Sequence, residues 1–216
     1  MIDLNRRATN PDILIVGLTG SIGMGKSTIA AMFREHAIPV CDADAEVHRL
    51  YAGAAVAPID AAFPGTARDG SIDRQVLAAR LLADPSGFKT LEAIVHPLVQ
   101  AAERDFLRKA AAGGEKIAVL EIPLLFESGG AGRVDVIVVV SAPWDIQRER
   151  VLARPGMSEA KLAGILARQL PDADKREKAD FVVDTGGTIA ESRRGVATVL
   201  DALRGRRGMA FARHWA

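Results

Sequence analysis

A strand, a glycine-rich turn and a helix follow one another near the start of the chain, and this order constrains the fold more than any other feature. Residues 13–19 read ILIVGLT, a continuous apolar run rich in β-branched residues that is typical of a buried strand. Residues 20–27 read GSIGMGKS and match the pattern G-x-x-x-x-G-K-[ST] without exception. Residues 26–36 continue with large apolar side chains at helical spacing. The sequence therefore predicts a phosphate-binding loop between a buried strand and a helix.

Each residue type in this loop has a chemical reason to be there. Glycines let consecutive backbone N–H groups turn inward around phosphate oxygens, and the following helix directs its N-terminal dipole at the same anion. We expect Lys26 to reach the β- and γ-phosphates, the Ser27 hydroxyl to ligate Mg²⁺, and Thr28 to lie near the α-phosphate. The alternative is a chance glycine turn, which the flanking strand and helix argue against. The predicted nucleotide-binding residues are Gly23, Met24, Gly25, Lys26, Ser27 and Thr28.

Four further apolar runs indicate a parallel sheet. The runs are continuous rather than alternating, so both faces of the sheet should be covered, and the segments between them look helical. The pattern predicts an α/β fold, namely a P-loop NTPase with three α/β/α layers and a five-stranded parallel sheet. The four runs span residues 38–41, 117–122, 134–140 and 181–184.

Two connections between these strands are too long for simple crossovers. Long insertions at the carboxyl ends of parallel strands usually carry ligands. We therefore predict one domain over residues 12–210 with a helical insertion that binds ligand and a second, smaller helical insertion, here called the lid segment, that is broken in the middle by Pro155. The insertion is expected to span 43–114, the lid segment 144–170, and the core 12–42, 115–143 and 171–205. Residues 1–11 and 206–216 are expected to be flexible ends. The alternative for the basic carboxyl-terminal tail is that it contacts a partner.

Composition and charge exclude several kinds of protein. The 216 residues carry a net charge of +1, which gives no support for binding to nucleic acid or to a membrane surface. The single cysteine, Cys41, rules out an intramolecular disulfide and fits a reducing compartment. The most apolar stretch, residues 134–140, is too short to span a bilayer. We predict a cytoplasmic protein that binds neither nucleic acid nor membranes. We expect it to be a monomer, and an oligomer is the alternative.

Among proteins with such a loop, a small-molecule kinase fits this chain best. A guanine-reading N-K-x-D segment is absent from the sequence, as is the L-S-G-G-Q segment of transporter ATPases. The lid segment is rich in arginine, and Arg150 and Arg154 lie one helical turn apart. Arginines that close over ATP would neutralise charge on the transferring phosphoryl group and exclude water. The alternative is a solvated helix face with Glu149 as the counter-ion.

Two aspartates and a histidine are candidates for the acceptor side. Asp42 and Asp44 follow the second strand, where a carboxylate could orient or deprotonate an attacking hydroxyl, or hold Mg²⁺ through water. One of them could instead cap the helix that begins near Ala45. We assign catalysis to Asp42 and capping or a supporting role to Asp44. His96 precedes Pro97 in a helical stretch, and the proline predicts either a kink that aims His96 at a ligand or a plain packing kink.

The motifs together resemble the dephospho-coenzyme A kinase family. The resemblance runs from about Ile13 to Leu203 and is carried by GLTGSIGMGKST, CDAD, LEAIVHPLV, IPLLFE and ADFVVDTGG. It implies ATP-dependent phosphorylation of the ribose 3′-hydroxyl of dephospho-CoA, the last step of coenzyme A synthesis, with Mg²⁺. It also implies a nucleotide-binding core, a helical substrate-binding domain and a lid, with Asp42 as the base and Arg150 as the lid arginine on ATP phosphate. The phosphate-loop motif adds Lys26 as the third predicted catalytic residue. The resemblance places Arg74 and His96 in the substrate-side helical region, and we predict that these two residues and Asp44 bind the substrate.

Two positions qualify this interpretation, and two rival functions stay open. Thr185 stands where the family usually has asparagine, which puts contacts to the adenine base in question. Glu121 ends the third predicted strand of the core and is either a Mg²⁺-linked carboxylate or part of a local salt bridge. One rival is another small-molecule kinase with a nucleotide or alcohol acceptor. The other is a regulatory module that binds ATP without transferring phosphate.

Overall fold

The fold is described from a computed structural model that covers residues 12–216. The predicted flexible end at 1–11 lies outside the described residues. The strands are β1 (Leu14–Thr19), β2 (Val40–Asp42), β3 (Ala67–Arg68), β4 (Ser71–Ile72), β5 (Ile117–Glu121), β6 (Val136–Ser141) and β7 (Phe181–Asp184). The α-helices are α1 (Lys26–Glu35), α2 (Ala43–Leu50), α3 (Val56–Ala62), α4 (Arg74–Ala83), α5 (Gly87–Ala112), α6 (Trp144–Leu152), α7 (Glu159–Leu166), α8 (Asp172–Glu177) and α9 (Ile189–Leu203). A 3₁₀ helix spans Gly130–Arg133 and a π-helix spans Phe211–Trp215.

The chain forms two compact units. Among the described residues, the sheet unit comprises residues 12–41 together with Leu107–Ala216, and the helical unit comprises Asp42–Phe106. The helical unit thus ends inside α5, whereas the insertion was expected to run over 43–114. The last residues of α5 count with the sheet unit because they pack there, as buried Leu107 and Ala110 show.

A five-stranded sheet in the order β2-β5-β1-β6-β7 organises the sheet unit. Strand β1 pairs in parallel with β5 on one side and with β6 on the other, and β6 pairs in parallel with β7. Every residue of β1 is buried, as expected for a continuous apolar run in a sheet covered on both faces. The predicted α/β fold is confirmed. Because the chain crosses from β5 to β6 around β1, the switch point of the sheet lies at the carboxyl end of β1, where ligands bind in such folds.

Helices α1 and α9 pack against this sheet and complete its core. The buried face of α1 carries Ile29, Met32 and Phe33, each at most 2% exposed. The facing positions of α9 are Val196 and Val199, which belong to the same apolar cluster. Burying a side chain of this size contributes about 2 kcal/mol. The helix that follows the phosphate loop is therefore fixed to the sheet through its apolar face, and its first turn stays on the loop side.

The carboxyl-terminal tail is packed, so the prediction of a flexible end at 206–216 is wrong. Phe211 and Trp215 are 4% and 2% exposed. The indole Nε1 of Trp215 donates to the carbonyl of Arg133 at 2.8 Å, and the guanidinium of Arg133 lies 5.1 Å from the ring centroid. The Asp135 carboxylate accepts from the backbone N–H groups of residues 209 and 210. The basic composition of the tail concealed two aromatic anchors whose burial offsets the entropy of ordering the segment.

The helical unit has its own apolar core. Helices α2 to α5 and the β3–β4 hairpin surround Ile59, Leu77 and Leu81. The hairpin turn at Asp69 and Gly70, both with positive φ, fits a tight two-residue turn and was not anticipated. Helix α5 continues through Pro97 without a break. In the part of the chain that the structure describes, no helix is long and apolar enough to cross a membrane.

Candidate active site

The phosphate loop ends at the start of α1, where no side chain caps the helix. Gly25 is the N-cap residue and adopts a left-handed conformation, with φ of 84°, which glycine reaches without strain. The first turn of α1 contains no acidic residue. The first N–H groups of a helix have no intrahelical acceptor, so the N-terminus of α1 is suited to bind an anion.

Lys26 makes a buried ion pair at this site. Its Nζ donates to Oε1 of Glu121 at 2.7 Å, and the two side chains are 14% and 2% exposed. The Ser27 hydroxyl lies 3.4 Å from the same carboxylate oxygen. Glu121 is the last residue of β5 and Lys26 the first of α1, so adjacent strands β5 and β1 bring the pair together. The local salt bridge that the sequence left open for Glu121 is thus present, and its partner is Lys26.

The oxygen donors near Ser27 fit a magnesium ion. The second carboxylate oxygen of Glu121, Oε2, is buried and has no hydrogen-bond partner among the described residues. Hydroxyl and carboxylate oxygens are the ligands that Mg²⁺ takes, and in phosphate-transfer sites it uses one or two protein groups together with substrate phosphates and water. In the described part of the chain, no cluster of three His, Cys, Asp or Glu side chains could hold a metal ion by itself. Ser27 with Glu121 therefore forms the candidate position for Mg²⁺.

Arg150 is docked beside the phosphate loop by Thr185. Its guanidinium donates to the Thr185 hydroxyl at 3.1 Å and to the Thr185 carbonyl at 2.6 Å. The same hydroxyl donates to the carbonyl of Met24 in the loop at 2.7 Å. Arg150 thus has a partner other than Glu149. The residue that departs from the family pattern, Thr185, links the loop after β7 to both the phosphate loop and the lid segment.

A cavity of about 270 Å³ opens next to this contact. It is lined by Gly25 and Thr28 of the loop and helix α1, by Arg150 and Arg154 of α6 and the turn after it, and by Thr185 and Ser192 beyond β7. The walls combine backbone donors, two guanidinium groups and small polar side chains. Such a lining suits a nucleotide, whose phosphates need positive charge and whose base needs a shaped slot.

The structure corrects the division of roles between Asp42 and Asp44. Asp42 is the N-cap residue of α2, and its Oδ1 accepts from the backbone N–H groups of Asp44 and Ala45 at 2.9 and 3.1 Å. The expected capping role of Asp44 therefore belongs to Asp42. The helix begins at Ala43, two residues before the expected start, because Asp42 already supplies the cap. Asp44 lies exposed in the first turn of α2.

Arg74, by contrast, joins a hydrogen-bonded chain that the sequence interpretation missed. Its guanidinium lies 2.5 Å from Nε2 of His48, and Nδ1 of His48 lies 2.9 Å from the carbonyl oxygen of Asp44. Because arginine only donates, Nε2 accepts and Nδ1 carries the proton. The i, i+4 spacing of Asp44 and His48 on α2 was the sequence feature from which the contact between these two residues could have been predicted. His96 is exposed on α5, and its proposed contact with a ligand stays a prediction.

Glu127, at the end of the IPLLFE motif, anchors the exit of the lid segment. It accepts from the backbone N–H of Leu170 at 2.7 Å, and its Oε1 lies 3.0 Å from Nζ of Lys175. Lys175 is fully buried. Burial alone would raise the pKa of Glu127, but the hydrogen bonds from backbone N–H groups and from Lys175 outweigh it and hold the pKa below the usual carboxyl range. Glu127 is therefore charged at neutral pH and compensates the buried ammonium.

Replacing Glu127 by glutamine is expected to destabilise the protein by about 3 kcal/mol, because it leaves the ammonium of Lys175 buried without a counter-charge. Denaturant unfolding at pH 7 measures this loss. Because the folded-state pKa of Glu127 is lowered, its contribution is complete above about pH 5 and declines as the pH falls further. The difference in the free energy of unfolding between the wild type and Glu127→Gln should therefore become smaller at acidic pH. Glu92 is an exposed glutamate on α5, and the control variant Glu92→Gln should leave the free energy of unfolding almost unchanged. An equal loss of stability in the control, or a stability difference for Glu127→Gln that does not depend on pH, would show that Glu127 does not compensate the charge of Lys175.

Comparison with known proteins decides the family. The family model for dephospho-CoA kinase matches residues 14–191. The chain belongs to the dephospho-CoA kinase family. A dephospho-CoA kinase from Mesorhizobium japonicum is 57% identical over 196 residues, which are 91% of this chain and 100% of that protein. A Thermus thermophilus protein of known crystal structure is 36% identical, with a TM-score of 0.78 over 89% of this chain and 99% of that one.

The resemblance inferred from the motifs is therefore confirmed. A dephospho-CoA kinase from Campylobacter jejuni, 24% identical with a TM-score of 0.67 over 88% of this chain and 96% of that one, shares the fold. The region matched by the dephospho-CoA kinase family model contains Lys26, Asp42, Arg150 and Thr185.

Proposed function

We propose that this chain transfers the γ-phosphoryl group of ATP to the ribose 3′-hydroxyl of dephospho-CoA, which gives coenzyme A in the last step of its synthesis. The observation that carries the proposal is the match to dephospho-CoA kinases over nine-tenths of the chain, at 57% identity to the Mesorhizobium protein. The set of charged groups around the phosphate loop supports it, because Lys26, Glu121 and Arg150 are the groups that phosphoryl transfer needs. A cytoplasmic location and a monomeric state stay predictions.

On the donor side, the loop and α1 bind the phosphates of ATP through backbone N–H groups. Lys26 exchanges Glu121 for the β- and γ-phosphates, which lie within reach of the same ammonium group in loops of this type. Ser27 and Glu121 would hold Mg²⁺, and the metal would neutralise phosphate charge. Arg150, already fixed beside Met24 by Thr185, spreads the negative charge that develops on the transferring group.

On the acceptor side, Asp42 orients the 3′-hydroxyl and takes its proton late in the transfer. The cap of α2 occupies only Oδ1 of Asp42, so Oδ2 remains for the substrate. Capping and catalysis therefore do not compete, and the two backbone bonds hold the carboxylate in one orientation. Because the transition state of phosphoryl transfer is loose, the base contributes less than positioning does. Arg74, fixed by His48, with Asp44 and His96, supplies contacts to the remainder of dephospho-CoA.

An acceptor panel tests this proposal. Purified protein with ATP and Mg²⁺ is assayed for ADP release in the presence of dephospho-CoA, nucleoside monophosphates or shikimate. Release that depends on dephospho-CoA alone is expected. Release with a nucleoside monophosphate or shikimate would favour a different small-molecule kinase. Binding of ATP without transfer to any acceptor would favour a regulatory module.

A further inference from the structure

Two glutamines that bracket the lid segment hold the same residue of the phosphate loop. Nε2 of Gln147, in the first turns of α6, donates to the carbonyl of Ile22 at 2.7 Å. Oε1 of Gln169, just after α7, accepts from the N–H of Ile22 at 3.2 Å. The orientation of each amide follows from its partner, because a backbone carbonyl only accepts and an N–H only donates. Both peptide groups of Ile22 are thus satisfied by side chains that lie more than a hundred residues away in sequence.

Helix α6 is also packed directly on the loop. A side chain at Gly23, which has φ of 80°, would place its Cβ 2.5 Å from Val151 and 3.0 Å from the carbonyl oxygen of Gln147. A Cβ 2.5 Å from Val151 would force α6 or the loop to shift, and the positive φ would strain any other residue, so both close approach and backbone conformation favour glycine here. Gln147 is 4% exposed, which means that its bond to Ile22 is made away from water. Helix α6 therefore cannot move away from the phosphate loop without breaking the hydrogen bond between Gln147 and Ile22.

The position of Gln169 is fixed from the other side. Its neighbour Leu170 donates its N–H to Glu127, which in turn pairs with buried Lys175. The exit of the lid segment is therefore tied to the loop after β5, and Gln169 is held toward Ile22. This gives the IPLLFE motif a structural role that composition and spacing did not reveal.

We infer that Gln147 and Gln169 are positioning residues that hold the phosphate loop in its ATP-binding shape and join it to both ends of the lid segment. The inference rests on the proposed function for the identity of the nucleotide. A loop that contains Gly20, Gly23 and Gly25 has many accessible conformations, and a preorganised one binds its ligand more tightly because less ordering is left to do. Neither glutamine contacts the phosphates through this arrangement, because their amides are engaged with Ile22.

Matched isosteric variants separate this role from simple packing. Gln147→Glu loses the donor that Ile22 needs, whereas Gln169→Glu keeps the acceptor. Both changes preserve side-chain size and add one negative charge. We expect the Kd for ATP, measured by titration calorimetry at pH 8 without acceptor, to rise about tenfold in Gln147→Glu and less than about threefold in Gln169→Glu. The uncharged variants Gln147→Met and Gln169→Met should each raise it about fivefold, and Gln100→Met, an exposed glutamine on α5, should leave it unchanged.

Equal effects of the two glutamate variants, or an unchanged Kd in both methionine variants, would overturn the inference. If the Gln147 variants fail to fold, the contrast between Gln169→Glu and Gln169→Met decides alone, since Gln169 is only half-buried. Absence of ATP binding by the wild-type protein would instead count against the proposed function, so the two failures are distinguishable.

Discussion

Replacing Lys26 by methionine is expected to lower kcat by about 10²- to 10³-fold, which is the usual effect of removing one group that stabilises charge in a transition state. Methionine keeps an unbranched stem of similar reach and removes the ammonium that pairs with Glu121 at 2.7 Å. The loss should fall mainly on kcat, because the backbone donors of the loop and α1 still bind the phosphates. Steady-state kinetics with ATP varied at saturating dephospho-CoA measure the effect.

The control for Lys26 must account for the carboxylate that is left behind. Glu121 is 1% exposed and would lose its counter-charge, so the single variant should also unfold more easily. Lys26→Met combined with Glu121→Gln removes that penalty and should recover stability but not activity, and Glu121→Gln alone measures how much of the loss comes from the candidate Mg²⁺ position. Lys116→Met, at an exposed lysine, should behave like wild type. A double variant that recovers turnover would show that Lys26 acts through folding rather than on phosphate.

Replacing Asp42 by asparagine is expected to lower kcat by about 10²-fold while the Kd for ATP stays near the wild-type value. Loss of a general base usually lowers the rate by about 10²- to 10⁴-fold. We expect an effect at the lower end of this range because a loose transition state needs little help from a base. The structure makes the substitution informative, because asparagine caps a helix about as well as aspartate does. The cap of α2 should therefore survive, and a fall in activity reports on the carboxylate itself.

The chain offers a matched control for this change. Asp73 caps α4 in the same way, accepting from the N–H groups of Gln75 and Val76 at 3.0 and 3.1 Å. Asp73→Asn should leave both kcat and stability close to wild type. If Asp42→Asn stays within a few-fold of wild-type turnover, Asp42 serves as a cap and not as the base.

The parts of the fold that sequence reasoning anticipated are those that local patterns specify. The continuous apolar runs predicted all five strands of the main sheet, and their ends shifted by only a residue or two. The break at Pro155 correctly separated α6 from α7. In each case the signal and the structure that it predicts lie within the same few residues.

The contacts that build the site were out of reach because they depend on tertiary packing. Lys26 and Glu121 are brought together by the order of β1 and β5, and Arg150 meets Thr185 across the loop after β7. From the sequence, Glu121 could equally be a Mg²⁺-linked carboxylate or part of a salt bridge. The sequence also indicated no structural role for Thr185, which stands where the family usually has asparagine. The tail was misjudged for the same reason, since the partner of Trp215 is the carbonyl of Arg133, 82 residues earlier.

The product that this chain forms from ATP and dephospho-CoA shows directly whether it carries out the proposed transfer. Purified protein with both substrates and Mg²⁺ should release ADP and coenzyme A in equal amounts, and ³¹P NMR should show one new phosphomonoester at the ribose 3′ position. Lys26→Met and Asp42→Asn should form this product far more slowly. A phosphate at any other position of dephospho-CoA, or ADP release without a phosphorylated acceptor, would contradict the account.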